Sequence, residues 1–205
     1  IRSLMRQGVE WTNHYDLSSL RILGSVGEPL NPEAWMWYHT YIGKGELPIV
    51  DTWWQTESGG IMLSPLPYAT HIKPGSVTKP LPGIEAGIMS GDGSDDCAQE
   101  GGHLVIRKPW PGLMTGVFQN PEKFKSYFNR FPGCYLSGDG ARVDEEGNYW
   151  ILGRMDDAIN VSGHRLSTSE IESVLIAHPA VGEAAVVPMP HEIKGEAIYA
   201  YVAVK

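Results

Sequence analysis

Cysteine is nearly absent from this sequence. Its two examples, Cys97 and Cys134, have no metal-ligand spacing and are too few for a disulfide framework in 205 residues. They read as free thiols in a reducing compartment, so a cytoplasmic protein is expected. Basic charge is also scarce: 16 Lys and Arg against 24 Asp and Glu leave a net charge of −8. A nucleic-acid footprint needs a clustered basic face, so no nucleic-acid partner is expected. No stretch approaches the ~18 apolar residues of a membrane helix, and no basic-then-apolar leader opens the chain. No membrane partner is expected either. Ile1 rather than Met stands first, and Lys205 closes an apolar run from Ala197 to Val204, so both ends read as cut.

What is present is ordinary globular composition, with 42% hydrophobic and 20% charged residues, enough for one medium domain or one domain plus part of another. Leu20 to Val26 is a short apolar run closed by Gly27, a buried strand by pattern. Asn31, Pro32 and Glu33 then spell a helix start: an N-cap, a proline at the first helical position, and a carboxylate at the positive dipole end. That helix should reach about Ile42 and stop at Gly43-Lys44-Gly45, with a second strand over Leu47 to Trp53. Strand, helix, strand is the grammar of an α/β layer.

From Pro65 to Arg154 proline and glycine are dense and helical periodicity disappears. Strand candidates fall at 84–89, 102–107, 135–138, 141–144 and 148–152, with Glu145-Glu146-Gly147 as a hairpin turn. This reads as a β-rich subdomain with the strand density of a distorted barrel. Residues 91–100 read as a solvated loop. Beyond Asp156, Ser167 and Glu170 match a capping box, Ile171, Val174, Leu175 and His178 follow at helical spacing, and Pro179 ends the helix. Strands are expected over Val181 to Val187 and Ile198 to Val204. The division is therefore 1–65, 66–155 and 156–205, the last a partial α+β domain.

Three segments carry candidate chemistry. Gly24-Ser25-Val26-Gly27-Glu28-Pro29 lets a ligand approach the backbone, although by itself it is an ordinary strand-to-helix turn. It is not a Walker loop, because no Gly-Lys-Ser/Thr follows. Asp51-Thr52-Trp53-Trp54-Gln55-Thr56-Glu57-Ser58-Gly59-Gly60 stands at a strand's carboxyl end, where α/β sheets bind ligands. Thr56 offers a hydroxyl to a phosphate oxygen and Glu57 a hard oxygen to Mg²⁺. Two adjacent tryptophans point to opposite sides of a strand, so one can face a pocket. The third segment runs from Tyr135 to Arg165. In it Asp139 can accept from a ribose diol, and Arg154 and Arg165 can reach phosphate or ribose oxygens, although any one of these could equally sit in a surface ion pair.

In order, VGEP, DTWWQTESGG, YLSGDGARVDEEGNYWILGRMDDAINVSGHR and STSEIESVLIAHPAV resemble the adenylate-forming acyl-CoA synthetases, most closely their AMP-forming acetate–CoA ligases. The resemblance spans Leu17 to Lys205. It implies the C-terminal part of a large AMP-binding domain followed by the start of a small one. It implies ATP, Mg²⁺ and CoA as cofactors, with acetate, ATP and CoA as the small-molecule partners. Gly27, Glu28 and Pro29 would line adenine, Asp51 to Thr56 would wrap adenine and the α-phosphate, and Glu57 would hold Mg²⁺. Val26 and Trp54 would bound the acyl pocket. Asp139 and Arg154 would bind ribose, Arg165 phosphate and Ser162 CoA, with Asp156 as the hinge. Ile176, His178 and Val181 match positions that hold a structural cation through backbone carbonyls. The family's Ser/Thr/Gly-rich loop ending in Lys and its catalytic lysine are not within these 205 residues. The chain alone is therefore expected to be inactive. A short-chain ligase for propionate, and a non-catalytic nucleotide-binding piece, are the competing readings.

Overall fold

The computed structural model describes residues 1–94, 98–155, 158–161, 164–191 and 195–204, without the side chains of Asn160, His164 and Arg165. Its α/β layer contains two parallel strands, β1 (Leu23–Ser25) and β2 (Ile49–Asp51), with Leu23 opposite Ile49 and Ser25 opposite Asp51. Both strands are shorter than their apolar runs suggest. A short helix, α1 (Arg2–Arg6), precedes them, and α2 (Pro32–Trp37) joins them. Asn31 caps α2 by accepting from the Ala34 amide at 3.2 Å. The helix then widens into a π-turn over Tyr38–Ile42 and stops at Gly43, so the expected start and end both hold. Leu23, Leu30, Ala34, Trp35 and Ile49 form the buried cluster of this layer.

The middle of the chain is an antiparallel meander in the order β3 (Ala86–Met89), β4 (Gly102–Ile106), β5 (Tyr135–Val143), β6 (Tyr149–Arg154). Isolated bridges extend it: Thr78 to Tyr149, Pro80 to Leu63, and Leu63 to Trp53. The two strands expected over 135–138 and 141–144 are one strand, bulged between Gly140 and Ala141. A larger correction is α3 (Pro121–Asn129), a helix inside the stretch read as free of helix. Asn120 accepts from the Lys123 amide at 2.9 Å and Pro121 takes the first turn, the same start signal as at Asn31. Trp53, Met62, Leu63, Leu104, Ile106, Trp110 and Tyr135 belong to the main core.

The C-terminal part pairs β7 (Ile159–Val161), β8 (His164–Leu166), β9 (Val181–His191) and β10 (Gly195–Val204) in the order β8-β7-β10-β9. The helix α4 (Thr168–Ile176) packs on β9, and Ser167 caps it by accepting from the Glu170 amide at 3.3 Å. Ser167 and Ser169 also donate to the Leu152 carbonyl of β6. Among the described residues no helix is long and apolar enough to cross a membrane.

Candidate nucleotide site

The register of β1 and β2 builds the site. Because Ser25 lies opposite Asp51, the segments that follow the two strands leave the layer side by side. The Thr52 amide and hydroxyl both donate to the Ser25 carbonyl, at 3.0 and 3.2 Å, and lock the two exits together. Val26 to Pro29 then form one wall of a cleft of about 550 Å³, and Asp51 to Thr56 the other. Gly27 adopts a left-handed φ of +103°, and a Cβ there would meet nothing within 4 Å, so this stretch leaves room for close approach. The two tryptophans divide as alternation predicts. Trp53 is buried in the core, whereas Trp54 is 45% exposed and lines the cleft with Val26.

The far side of the cleft comes from the β5–β6 hairpin, whose register sets Asp139 opposite Arg154. Asp139 is a buried hub. Its Oδ2 accepts from the Trp53 indole at 2.8 Å and from the Gln55 amide nitrogen at 2.8 Å. Its Oδ1 accepts from Arg154 at 3.3 Å. Burial pushes this carboxyl above the usual range, while Trp53, Arg154 and Gln55 pull against that push. Gln55 also donates to the Ser137 carbonyl at 2.9 Å and accepts from the Tyr135 hydroxyl at 2.7 Å. The motif after β2 is thus bolted to β5 through side chains.

Asp51 presents a different problem. It is 2% exposed, and its Oδ2 has no hydrogen-bond partner. Burial pushes its carboxyl up to about 7, against the Ser25 hydroxyl and the Thr52 amide, which lower it. A buried carboxylate oxygen without a donor is costly, and a donor arriving on a ligand would relieve that cost.

Beyond Thr56 the chain makes one 3₁₀ turn, Thr56–Ser58, and is clamped from outside. The Trp110 indole donates to the Ser58 carbonyl at 2.7 Å, and the Met114 amide to the Glu57 carbonyl at 3.1 Å. Gly59, at φ +66°, passes so close to Gly112 that a Cβ would sit 2.3 Å from its carbonyl oxygen, which explains the glycine. The Glu57 side chain accepts from the Tyr127 hydroxyl of α3 at 2.7 Å. Burial first, then Glu57, pushes that phenol up to about 12, so it stays a donor at neutral pH. Glu57 is one half-buried carboxylate with the Tyr127 hydroxyl as its donor, and that chemistry fits Mg²⁺, which is held by one or two carboxylates plus substrate phosphates rather than by a protein cage. Among the described residues no group of three or more His, Cys, Asp or Glu could hold a metal by itself.

Val26, Gly27, Glu28, Pro29, Asp51, Thr52, Trp53, Trp54, Gln55, Thr56, Asp139 and Arg154 all line this one cleft. Sequence reading missed Val77 and Ile151, which complete its apolar surface, and the Tyr127 contact to Glu57. Asp156 and Ser162 lie outside the described residues, as does the side chain of Arg165. Glu57, Ile176, His178 and Val181 are not among the residues that line the cleft, although Glu57 directly follows Thr56, which does. The His178 ring nitrogen accepts from the Ala180 amide at 3.2 Å and its carbonyl from Val181 at 2.9 Å. Ile176 lines a second cleft of about 610 Å³ that shares Glu28 and Pro29 with the first.

Residues 1–118 match the profile of the AMP-binding enzymes, and residues 170–205 that of the AMP-binding enzyme C-terminal domain. The chain belongs to the AMP-binding enzyme family. Acetyl-coenzyme A synthetase of Chlorobaculum tepidum is 57% identical to it over 206 aligned positions, covering 100% of this chain and 31% of that protein. Acetyl-coenzyme A synthetase of Caulobacter vibrioides is 56% identical, covering 100% of this chain and 32% of its own length. The chain thus spans about a third of these relatives. Among solved structures, the anthranilate CoA ligase AuaEII in complex with anthranoyl-AMP superposes with a TM-score of 0.82 at 33% identity, over 94% of this chain and 36% of that one. This similarity supports the expected α/β and β-rich architecture of an adenylate-forming ligase.

Proposed function

We propose that this chain supplies the nucleotide half-site of an AMP-forming acetate–CoA ligase. The observation that carries the reading is the convergence of three separate motifs, Val26–Pro29, Asp51–Thr56 and the Asp139–Arg154 pair, on one cleft. The names of the relatives and the acyl adenylate held by AuaEII point the same way.

In the reaction proposed, a carboxylate oxygen of acetate attacks the α-phosphorus of ATP. The bond to the pyrophosphate oxygen breaks, leaving acetyl-AMP and pyrophosphate. The CoA thiol then attacks the acyl carbon, AMP leaves, and the thiol proton passes to solvent. Two anions must be aligned and neutralised, so catalysis is positioning and charge stabilisation.

Gly27, Glu28 and Pro29 flank adenine, and the unpaired oxygen of Asp51 accepts from its amino group. The Thr56 hydroxyl donates to the α-phosphate, and Trp54 with Val26 bounds the acyl group. Asp139 binds the ribose diol. A carboxylate offers about four acceptor sites. Trp53, Gln55 and Arg154 already take three of them. A diol that takes two must therefore displace one donor, and Arg154, whose contact is the longest of the three at 3.3 Å, is the one assigned to yield, toward the ribose. The family resemblance assigns Arg165 to the phosphates, Ser162 to CoA and Asp156 to the hinge between domains. A Mg²⁺ ion held by Glu57 would supply charge neutralisation at the phosphates. Ile176, His178 and Val181 would hold a structural cation.

The test is calorimetric titration of the chain with a non-hydrolysable acetyl-adenylate mimic, beside Asp139→Ala. Saturable binding that weakens about tenfold or more in the variant is expected, since a hydrogen bond to a charged group is worth about 1.5–3 kcal/mol. Equal affinity in both would remove the ribose assignment. The chain itself should form no acetyl-CoA.

A further inference from the structure

The contact between Tyr127 and Glu57 has no part in the roles given above. Tyr127 lies on α3, 70 residues from Glu57 in sequence, and its hydroxyl donates to Glu57 Oε1 at 2.7 Å. Its ring stacks on Tyr135, with centroids 5.6 Å apart and planes at 16°, and Lys123 Nζ of the same helix lies 4.9 Å from the centroid of the Tyr127 ring. Tyr135 in turn donates to Gln55, two residues before Glu57.

The simplest alternative is that this bond only helps dock α3. Two observations argue otherwise. The backbone of Glu57 is already held without it, by the Met114 amide on its own carbonyl and by the Trp110 indole on the next one. The helix is also docked by its rings: Tyr127 and Phe128 both contact Tyr135. What the hydroxyl adds is the direction of one flexible carboxylate. A carboxylate on two or three free torsions holds a cation poorly, whereas one fixed by an outer donor holds it in a single geometry.

We propose that Tyr127 is a positioning residue for Glu57: its hydroxyl occupies one carboxylate oxygen, fixes the side chain, and leaves the other oxygen for the cation of Mg·ATP. The proposal rests on the reading of Glu57 as a metal-holding residue. It assigns a function to α3, the helix that the sequence pattern concealed.

The experiment is titration of the chain with ATP, once with saturating Mg²⁺ and once in EDTA, for wild type, Tyr127→Phe, Glu57→Gln and the double variant. Phenylalanine keeps the stack on Tyr135 and removes only the hydroxyl. The increment in ATP affinity due to Mg²⁺ should fall about tenfold in Tyr127→Phe, the lower end for outer partners of metal ligands. Affinity in EDTA should be the same as wild type. Glu57→Gln should lose the increment, and adding Tyr127→Phe to it should cost nothing more. If Tyr127→Phe keeps the full increment while Glu57→Gln loses it, the proposal is wrong and the metal reading stands. If Tyr127→Phe weakens ATP equally in EDTA, the hydroxyl is structural and the proposal is wrong. If Glu57→Gln keeps the increment, the metal reading fails and takes the proposal with it.

Discussion

Trp53 donates its indole N–H to Asp139 across 86 residues of sequence, at 2.8 Å. The bond joins the strand-end motif of the α/β layer to the β5–β6 hairpin and so closes one side of the cleft. It also gives the buried tryptophan a role beyond packing. Removing it should be felt at the ligand. Trp53→Phe keeps most of the apolar volume and deletes the donor. A hydrogen bond to a charged, buried group is worth about 1.5–3 kcal/mol, so thermal unfolding should show a loss of that size. Affinity for the adenylate mimic should fall by about fivefold as Asp139 loses one of the donors that orient it. A variant that melts early yet binds the mimic like wild type would reduce Trp53 to a core residue.

Asp51 predicts a pH dependence with a definite sign. Its carboxyl stands at about 7 in the fold, raised from 3.8, because burial disfavours the charged form. Between those values the folded chain holds a proton that the unfolded chain has released. The stability due to Asp51 is therefore complete below the unfolded value and lost as pH rises through about 7. Asp51→Asn has no proton to lose, so its stability relative to wild type should rise between about pH 5 and about pH 8. The slope cannot exceed about 1.4 kcal/mol per pH unit for one group. Chemical denaturation of both proteins at the two pH values is the check. A constant difference would mean that Asp51 is ionised throughout.

How much of this was legible beforehand depends on the range of the interaction. The caps were, because Asn31-Pro32-Glu33 and Ser167 with Glu170 are local signals that act within one turn. The rims of the cleft were, because strand ends and their glycines are local too. The helix α3 was missed although Asn120-Pro121-Glu122 repeats the signal of α2. Its neighbourhood is rich in proline and glycine, and it buries no residue, so its apolar stripe of Phe124, Tyr127 and Phe128 is short. The split of β5 into two strands had a similar cause. Gly138 and Gly140 break the apolar alternation, but the ladder runs through them. The hub at Asp139, the orphan oxygen of Asp51 and the Tyr127–Glu57 bond could not be read at all. Each depends on residues far apart in the chain, and no residue type announces its partner.

Trp54 leads to a prediction about acyl length. It is large, 45% exposed and part of the cleft wall together with Val26, so its indole occupies space that a longer acyl chain would need. Overlap with the ring should reject each extra methylene by about 1–3 kcal/mol, so two are rejected far more strongly than one. In a ligase that carries this chain, acetate should therefore be preferred over propionate only modestly, and over butyrate strongly. Trp54→Gly should invert the order by freeing the volume of the ring, with kcat/KM for acetate falling and that for butyrate rising at least about tenfold. The segment Gly27 to Pro29, which we assign to adenine, is a different wall of the cleft, so KM for ATP should change far less. Kinetics on acetate, propionate and butyrate separate the outcomes. An unchanged acyl order with a raised KM for ATP would move Trp54 from the acyl pocket to the nucleotide, and would leave Val26 as the residue to vary next.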